Sequence, residues 1–130
     1  MAMSDWKLER FKWATQALAV PADVQLRLFP DFVCKADELA LEWDQHFRAV
    51  ATDSWTVPQV TLARSVDAKL EAMSHGGQDY QDTLWDDSAL RCSSHWAELR
   101  LLAAAVLDAF GWPCSPPPGD STDRGSTYVR

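Results

Sequence analysis

Apolar side chains recur at helical spacing along most of the chain. The clearest run steps by four, three, four, four and three positions through Phe32, Ala36, Leu39, Trp43, Phe47 and Val50. Spacing of this kind places all of these side chains on one side of an α-helix. We therefore predict an amphipathic helix of about five turns that starts after Pro30, with Asp31 as its N-cap.

A shorter apolar pattern predicts a helix at the start of the chain. Asp5 is placed to cap this helix, and Pro21 ends it near Ala19 because proline has no amide hydrogen. Its expected inner face comprises Trp6, Trp13, Ala17 and Val20, flanked by Leu8, Phe11 and Leu18. Residues 24–29 then alternate apolar and polar side chains, which is compatible with a short strand or with one helical turn.

A third helix is predicted to begin at Thr56 or Val57. Pro58 falls in its first turn, where a missing amide hydrogen costs nothing, and Gly76 and Gly77 end it. Its inward residues are expected to be Val60, Ala63, Val66 or Asp67, Leu70 and Met73.

A last long helix is predicted between Ser94, its cap, and Gly111, which follows its end. Its inward residues are expected to be Leu99, Leu102, Val106 and Phe110. Residues 78–94 are polar and acidic, with one short helix expected around residues 85–91. Residues 1–113 therefore predict a single all-α domain, a bundle of about four main helices with an irregular acidic loop. The Pro-rich residues 114–130 predict an extended or flexible tail.

The acidic side chains are concentrated in the middle of the chain. The formal net charge is −7, and residues 31–90 contain twelve acidic and four basic side chains, a net charge of −8. Phosphate backbones repel such a surface, so we expect no direct nucleic-acid binding. Two interpretations stay open: a solvated face that keeps the protein in solution, or a surface that attracts a basic partner.

Several acids lie where like charges repel one another. Glu38 and Glu42 are one helical turn apart, and four aspartates crowd the loop around Tyr80 and Trp85. Acids around an exposed aromatic ring suit a partner rich in lysine and arginine. The predicted partner-binding residues are Glu38, Glu42, Asp44, Asp79, Tyr80, Asp82, Trp85, Asp86 and Asp87.

The seven tryptophans divide into two groups by their surroundings. Trp43 lies on an apolar stripe, and we expect Trp6 and Trp13 to pack in the core with it. Trp55 and Trp85 lie between polar residues in predicted loops. Either residue could cover an open end of the bundle or anchor a partner.

The chain contains no motif that predicts catalysis, so we expect a protein that is not an enzyme. One alternative is a metal- or ligand-binding helical protein that uses Glu38, Glu42 and His46 on one helical face. No second helix offers matching ligands, so we expect no metal and no other cofactor. The three cysteines form no pair of disulfide or zinc spacing, and we see neither a signal peptide nor a membrane span. These features predict a cytoplasmic protein that does not associate with membranes.

The chain is small and acidic, and its excess of acids lies in residues 31–90, around Tyr80 and Trp85. It resembles the bacterial immunity proteins that neutralise nuclease toxins, including those of contact-dependent growth inhibition systems. The resemblance implies that the protein plugs the positively charged RNA- or DNA-binding cleft of a toxin domain, its acids mimicking phosphates. A scaffold or regulatory subunit would need the same kind of surface and would differ only in its partner.

Overall fold

A computed structural model describes residues 4–118 of the chain, and within that range it is all-helical without a strand. The elements are α1 (Ser4–Ala19), α2 (Ala22–Arg27), α3 (Lys35–Ala49), α4 (Val57–Met73), a 3₁₀ turn (Asp82–Trp85), α5 (Asp87–Cys92) and α6 (Ser94–Phe110). The predicted all-α class and the four long helices are confirmed. Residues 24–29, left open between strand and helix, belong mainly to α2. Most of the predicted tail, residues 119–130, lies outside the described residues.

The long helices are arranged in the order α3, α1, α6, α4. Helix α1 packs against both α3 and α6, and α4 packs against α6. Their shared core contains the fully buried side chains of Phe11, Leu39, Trp43, Met73, Trp96 and Leu99. Within residues 4–118, α3 and α4 are not among the closely packed helix pairs. No helix in this range is both long enough and apolar enough to cross a membrane.

The ends of α4 and α6 follow from local sequence. The Thr56 hydroxyl accepts a hydrogen bond from the Gln59 amide at 3.3 Å, and the Gln59 side chain accepts one from the Thr56 amide at 2.9 Å. This reciprocal capping box fixes the predicted start of α4. At the end of α6, Gly111 has a φ of 72°, the left-handed conformation that glycine adopts without strain.

Three predicted helix starts are wrong by a few residues or less. Helix α1 spans Ser4–Ala19 and so already contains Asp5, its predicted cap. Helix α3 begins at Lys35 rather than after Pro30, and Asp31 pairs with the Lys35 ammonium at 3.7 Å instead of capping a helix. Phe32 consequently lies before the helix and is 80% exposed. Helix α6 is capped by Ser93 rather than Ser94, because the Ser93 hydroxyl accepts from the His95 amide at 3.1 Å.

The tryptophan predictions hold for Trp43 and fail for Trp6. Trp43 is fully buried, and its indole N–H donates to the Thr15 hydroxyl at 3.0 Å. Trp6 is 48% exposed and Trp13 is partly buried. Both lie outside the buried face of α1, where the Arg10 guanidinium stands 5.7 Å from one ring and 5.6 Å from the other.

Trp55 covers the end of the bundle at which α3 ends and α4 begins. Its ring lies edge-on to Phe110, with 4.9 Å between the centroids, and 5.3 Å from the ring of Phe11. Trp55 is partly buried in this aromatic cluster. Its place in the fold is therefore that of an end cover.

Candidate partner-binding groove

A groove runs along the seam between α3 and α4, which we call the α3–α4 groove. It comprises three adjoining depressions with volumes of about 380, 370 and 480 Å³. The first and second share Ala40, Leu41 and Ser74, and the second and third share Arg48, Asp67 and Glu71. The groove therefore extends from Tyr80 and Trp85 at one end to Trp55 at the other.

The first depression combines apolar walls with one acidic side chain, that of Asp37. It is lined by Asp37, Ala40, Leu41, Ser74, His75, Tyr80 and Trp85. The Tyr80 hydroxyl donates to a carboxylate oxygen of Asp82 at 3.0 Å. That hydrogen bond raises the pKa of Tyr80 and fixes Asp82 beside the depression. We call this region the acidic–aromatic end of the groove.

Trp85 lines the acidic–aromatic end of the groove and also packs against other residues of the bundle. It is partly buried, its indole N–H donates to the Met73 carbonyl at 3.0 Å, and its ring lies edge-on to Trp96 with 5.4 Å between centroids. The thiol of Cys34 lies 3.2 Å from the Trp85 carbonyl, within hydrogen-bonding distance. Trp85 therefore has the end-covering position, while its remaining surface faces the groove.

An ion pair crosses the groove between its second and third depressions. The Arg48 guanidinium of α3 lies 2.6 Å from a carboxylate oxygen of Asp67 on α4 and 3.1 Å from Asp44 on its own helix. Asp44, one of the predicted partner-binding acids, is thus already paired. The charged residues that line the three depressions are Asp37, Asp44, Asp67, Glu71, Arg48 and Arg64.

Two other predicted partner-binding acids are engaged inside the protein. Asp79 accepts a hydrogen bond at 2.9 Å from Lys69, whose ammonium also lies 3.0 Å from Glu98. Burial acts to lower the pKa of Lys69, but the hydrogen bonds to the two carboxylates outweigh it and raise the pKa. Asp87 lies 3.6 Å from the largely buried ammonium of Lys35. Asp79 thus attaches the loop after α4 to that helix, and Asp87, although exposed, joins α5 to α3. Asp82 and Asp86 are exposed as well.

The prediction that Glu42 contributes to an acidic surface is wrong, because only 6% of Glu42 is exposed. Glu38 is partly buried, and neither glutamate lines the groove. The register of α3 explains the difference. The residues of α3 that line the groove toward α4 are Asp37, Leu41, Asp44 and Arg48. Glu38 and Glu42 each follow one of these residues, and each step along an α-helix turns the side chain by about 100° around the helix axis, here away from α4.

The metal-binding alternative finds no geometric support in residues 4–118, where no group of three candidate ligands converges. Glu38 and His46 are eight positions apart on α3, which separates them by about 12 Å along the helix axis. Burial and the nearby charge of Arg10 lower the pKa of His46. The environment of His46 is therefore that of a buried neutral imidazole.

The buried position of Glu38 leads to a pH-dependent prediction. One of its carboxylate oxygens is buried without a hydrogen-bond partner among the described residues, and burial, followed by the charge of Asp37, raises its pKa above 4.5. A raised pKa means that the folded state favours the protonated acid, so stability is lost as pH rises through the folded pKa. We expect Glu38→Gln to raise the melting temperature at pH 7, with the gain disappearing below pH 4.5.

Thermal melts across this pH range test the effect, and Glu71→Gln at an exposed position of α4 is the matched control. A Glu38→Gln variant that melts like the wild type at pH 7 would show that the charge of Glu38 is adequately solvated.

The groove contains residues that sequence reasoning missed. Leu41 is 56% exposed and falls outside the apolar stripe of α3, so periodicity gives it no role. Its one signal is that it is a large apolar residue on a predicted polar face. Asp37, Arg48 and Asp67 could be placed at one site only by knowing that α3 lies beside α4.

Comparison with protein-family models, curated proteins and solved structures finds no match to the chain.

Proposed function

We propose that the protein is a binding module, not an enzyme, that neutralises a basic protein partner through the acidic–aromatic end of the α3–α4 groove. In its most specific form, which the resemblance to immunity proteins supports, the partner is a nuclease toxin whose nucleic-acid-binding cleft is blocked. The observation that carries the proposal is one depression in which Leu41, Tyr80 and Trp85 lie beside acidic side chains.

This combination suits a lysine or arginine side chain. The alkyl part of such a side chain can lie against Leu41 and Trp85, while its charged head reaches the carboxylate of Asp37. An aromatic ring adds attraction for a cation close to its face. Residues of this kind line the clefts that bind phosphate backbones, and a carboxylate presented to them replaces a phosphate oxygen.

The exposed aspartates near this depression favour encounter with a basic partner. Asp82 and Asp86 are exposed beside Trp85, and no internal ion pair of either is seen among the described residues. Exposed charges of one sign accelerate association and contribute less to the lifetime of a complex. Asp82 and Asp86 are therefore the residues whose charge tests the proposal most directly.

Reversing both charges, Asp82→Lys with Asp86→Lys, is expected to slow association by about tenfold at low salt and to flatten its salt dependence. The measurement is stopped-flow or surface-plasmon kinetics against a basic nuclease domain encoded beside this gene. Asp53→Lys with Asp108→Lys, at two exposed positions away from Trp85, makes the same change in net charge and is the control.

Both double variants should melt near the wild type, because all four carboxylates are exposed. Equal association rates for the two double variants would mean that net charge alone matters, and wild-type rates for both would mean that the acids only maintain solubility. Either result would contradict the proposed site.

A further inference from the structure

The α3–α4 groove is longer than the binding of a single lysine or arginine side chain requires. Its three depressions are centred near residues 39, 43 and 49 of the α3 side, a length of roughly 15 Å at 1.5 Å per residue. That length corresponds to about three turns of a second helix. A helix lying along the seam would place one side chain in each depression, the pattern of helix-in-groove recognition.

The walls of the groove have the apolar surface that such a helix requires. Leu41 is 56% exposed on the rim, Leu70 lines the second depression, and Phe47, Trp55 and Val60 line the third. Because α3 and α4 are not closely packed against each other within residues 4–118, Leu41 and the partly buried Phe47, Trp55 and Val60 remain accessible from outside, whereas Leu70 is buried beneath them. Burying them would give the complex a hydrophobic contribution that the acids alone do not supply.

The charges along the groove specify what kind of helix fits. Asp37 lines the first depression, Asp44, Asp67, Glu71 and Arg48 line the second, and Arg64 joins Arg48, Asp67 and Glu71 in the third, so that acids outnumber arginines only in the first two. An occupant with basic residues near Tyr80 matches this gradient. A second copy of this chain does not, because each copy has a formal net charge of −7.

We infer that the partner contributes an amphipathic α-helix of about three turns, which lies along the α3–α4 groove with its apolar face inward and its basic residues beside Asp37 and Asp82. This inference rests on the proposed function and names the element of the partner that is recognised. Opposite Arg48, which crosses the groove to Asp67, the helix carries an uncharged or acidic residue.

The probe is a fluorescein-labelled synthetic helical peptide of leucine, alanine and lysine with its leucines at i, i+4, i+7 and i+11. A second peptide of the same composition distributes the leucines around the helix. The protein variant is Leu41→Gln, which removes an apolar side chain from the groove without changing the charge. Leu101→Gln on α6, where the leucine is 74% exposed, is the matched control.

We expect the amphipathic peptide to bind at least tenfold more tightly than the redistributed peptide in fluorescence anisotropy. Leu41→Gln should weaken that binding about tenfold, while Leu101→Gln leaves it unchanged and both variants melt like the wild type. Equal affinity for the two peptides, no binding of either, or wild-type affinity of Leu41→Gln would overturn the inference. The proposed function fails separately, when Asp82→Lys with Asp86→Lys leaves association with the basic nuclease domain unchanged.

Discussion

Replacing Trp85 with alanine is expected to lower the free energy of unfolding by about 3 kcal/mol. The change removes the edge-on contact with Trp96 and leaves the Met73 carbonyl without its indole donor. Trp85→Phe keeps a smaller aromatic ring and loses the N–H with part of the indole contact, so it should cost less than alanine, about 2 kcal/mol. Trp85 therefore stabilises the end of the bundle whether or not a partner contacts it.

Urea denaturation followed by far-UV circular dichroism measures these differences. Trp6→Ala is the control, because a tryptophan that is 48% exposed should change the free energy of unfolding by less than about 1 kcal/mol. If Trp85→Ala were as stable as the wild type, Trp85 would be free to act as a pure partner anchor. This test also explains why Leu41, and not Trp85, is the better probe of binding.

The helices could be predicted from the sequence because each depends on residues close together in the chain. The stripe through Ala36, Leu39 and Trp43 is buried as the periodicity indicates, and the signals at Thr56 and Gly111 act within one turn. Phe32 continued the same stripe but lies before the helix, since periodicity alone does not reveal where a helix begins.

The site was less predictable because it depends on contacts between distant segments. Two ion pairs, Lys35 with Asp87 and Lys69 with Asp79, join side chains from separate segments. A hydropathy pattern treats each of these side chains as an independent surface charge. Counting charge identifies residues 31–90 as acidic but does not separate the exposed Asp82 from the buried Glu42. That separation follows from the register of α3, which buries Glu42, and from the 3₁₀ turn, which leaves Asp82 exposed.

Gln25 is the clearest case of a residue whose role the sequence concealed. It is a polar residue of the alternating segment 24–29, and it is fully buried. Its side-chain amide donates to the carbonyls of Ala17 at 3.1 Å and Leu18 at 3.0 Å, and its oxygen accepts from Arg100 at 3.1 Å. Gln25 thus satisfies carbonyl groups at the end of α1, where Pro21 prevents the helix from continuing.

Gln25→Leu is therefore expected to lower the free energy of unfolding by about 3 kcal/mol, since leucine fills similar space but leaves these buried polar groups without partners. Burial already lowers the pKa of Arg100, so losing an acceptor for its guanidinium adds to the cost. Guanidinium chloride denaturation provides the measurement, with Gln45→Leu at an exposed position of α3 as the control. If both leucine variants unfolded at the wild-type midpoint, water or neighbouring groups would have to replace all three hydrogen bonds. The hydrogen bonds of Gln25 would then add no net stability to the junction of α1, α2 and α6.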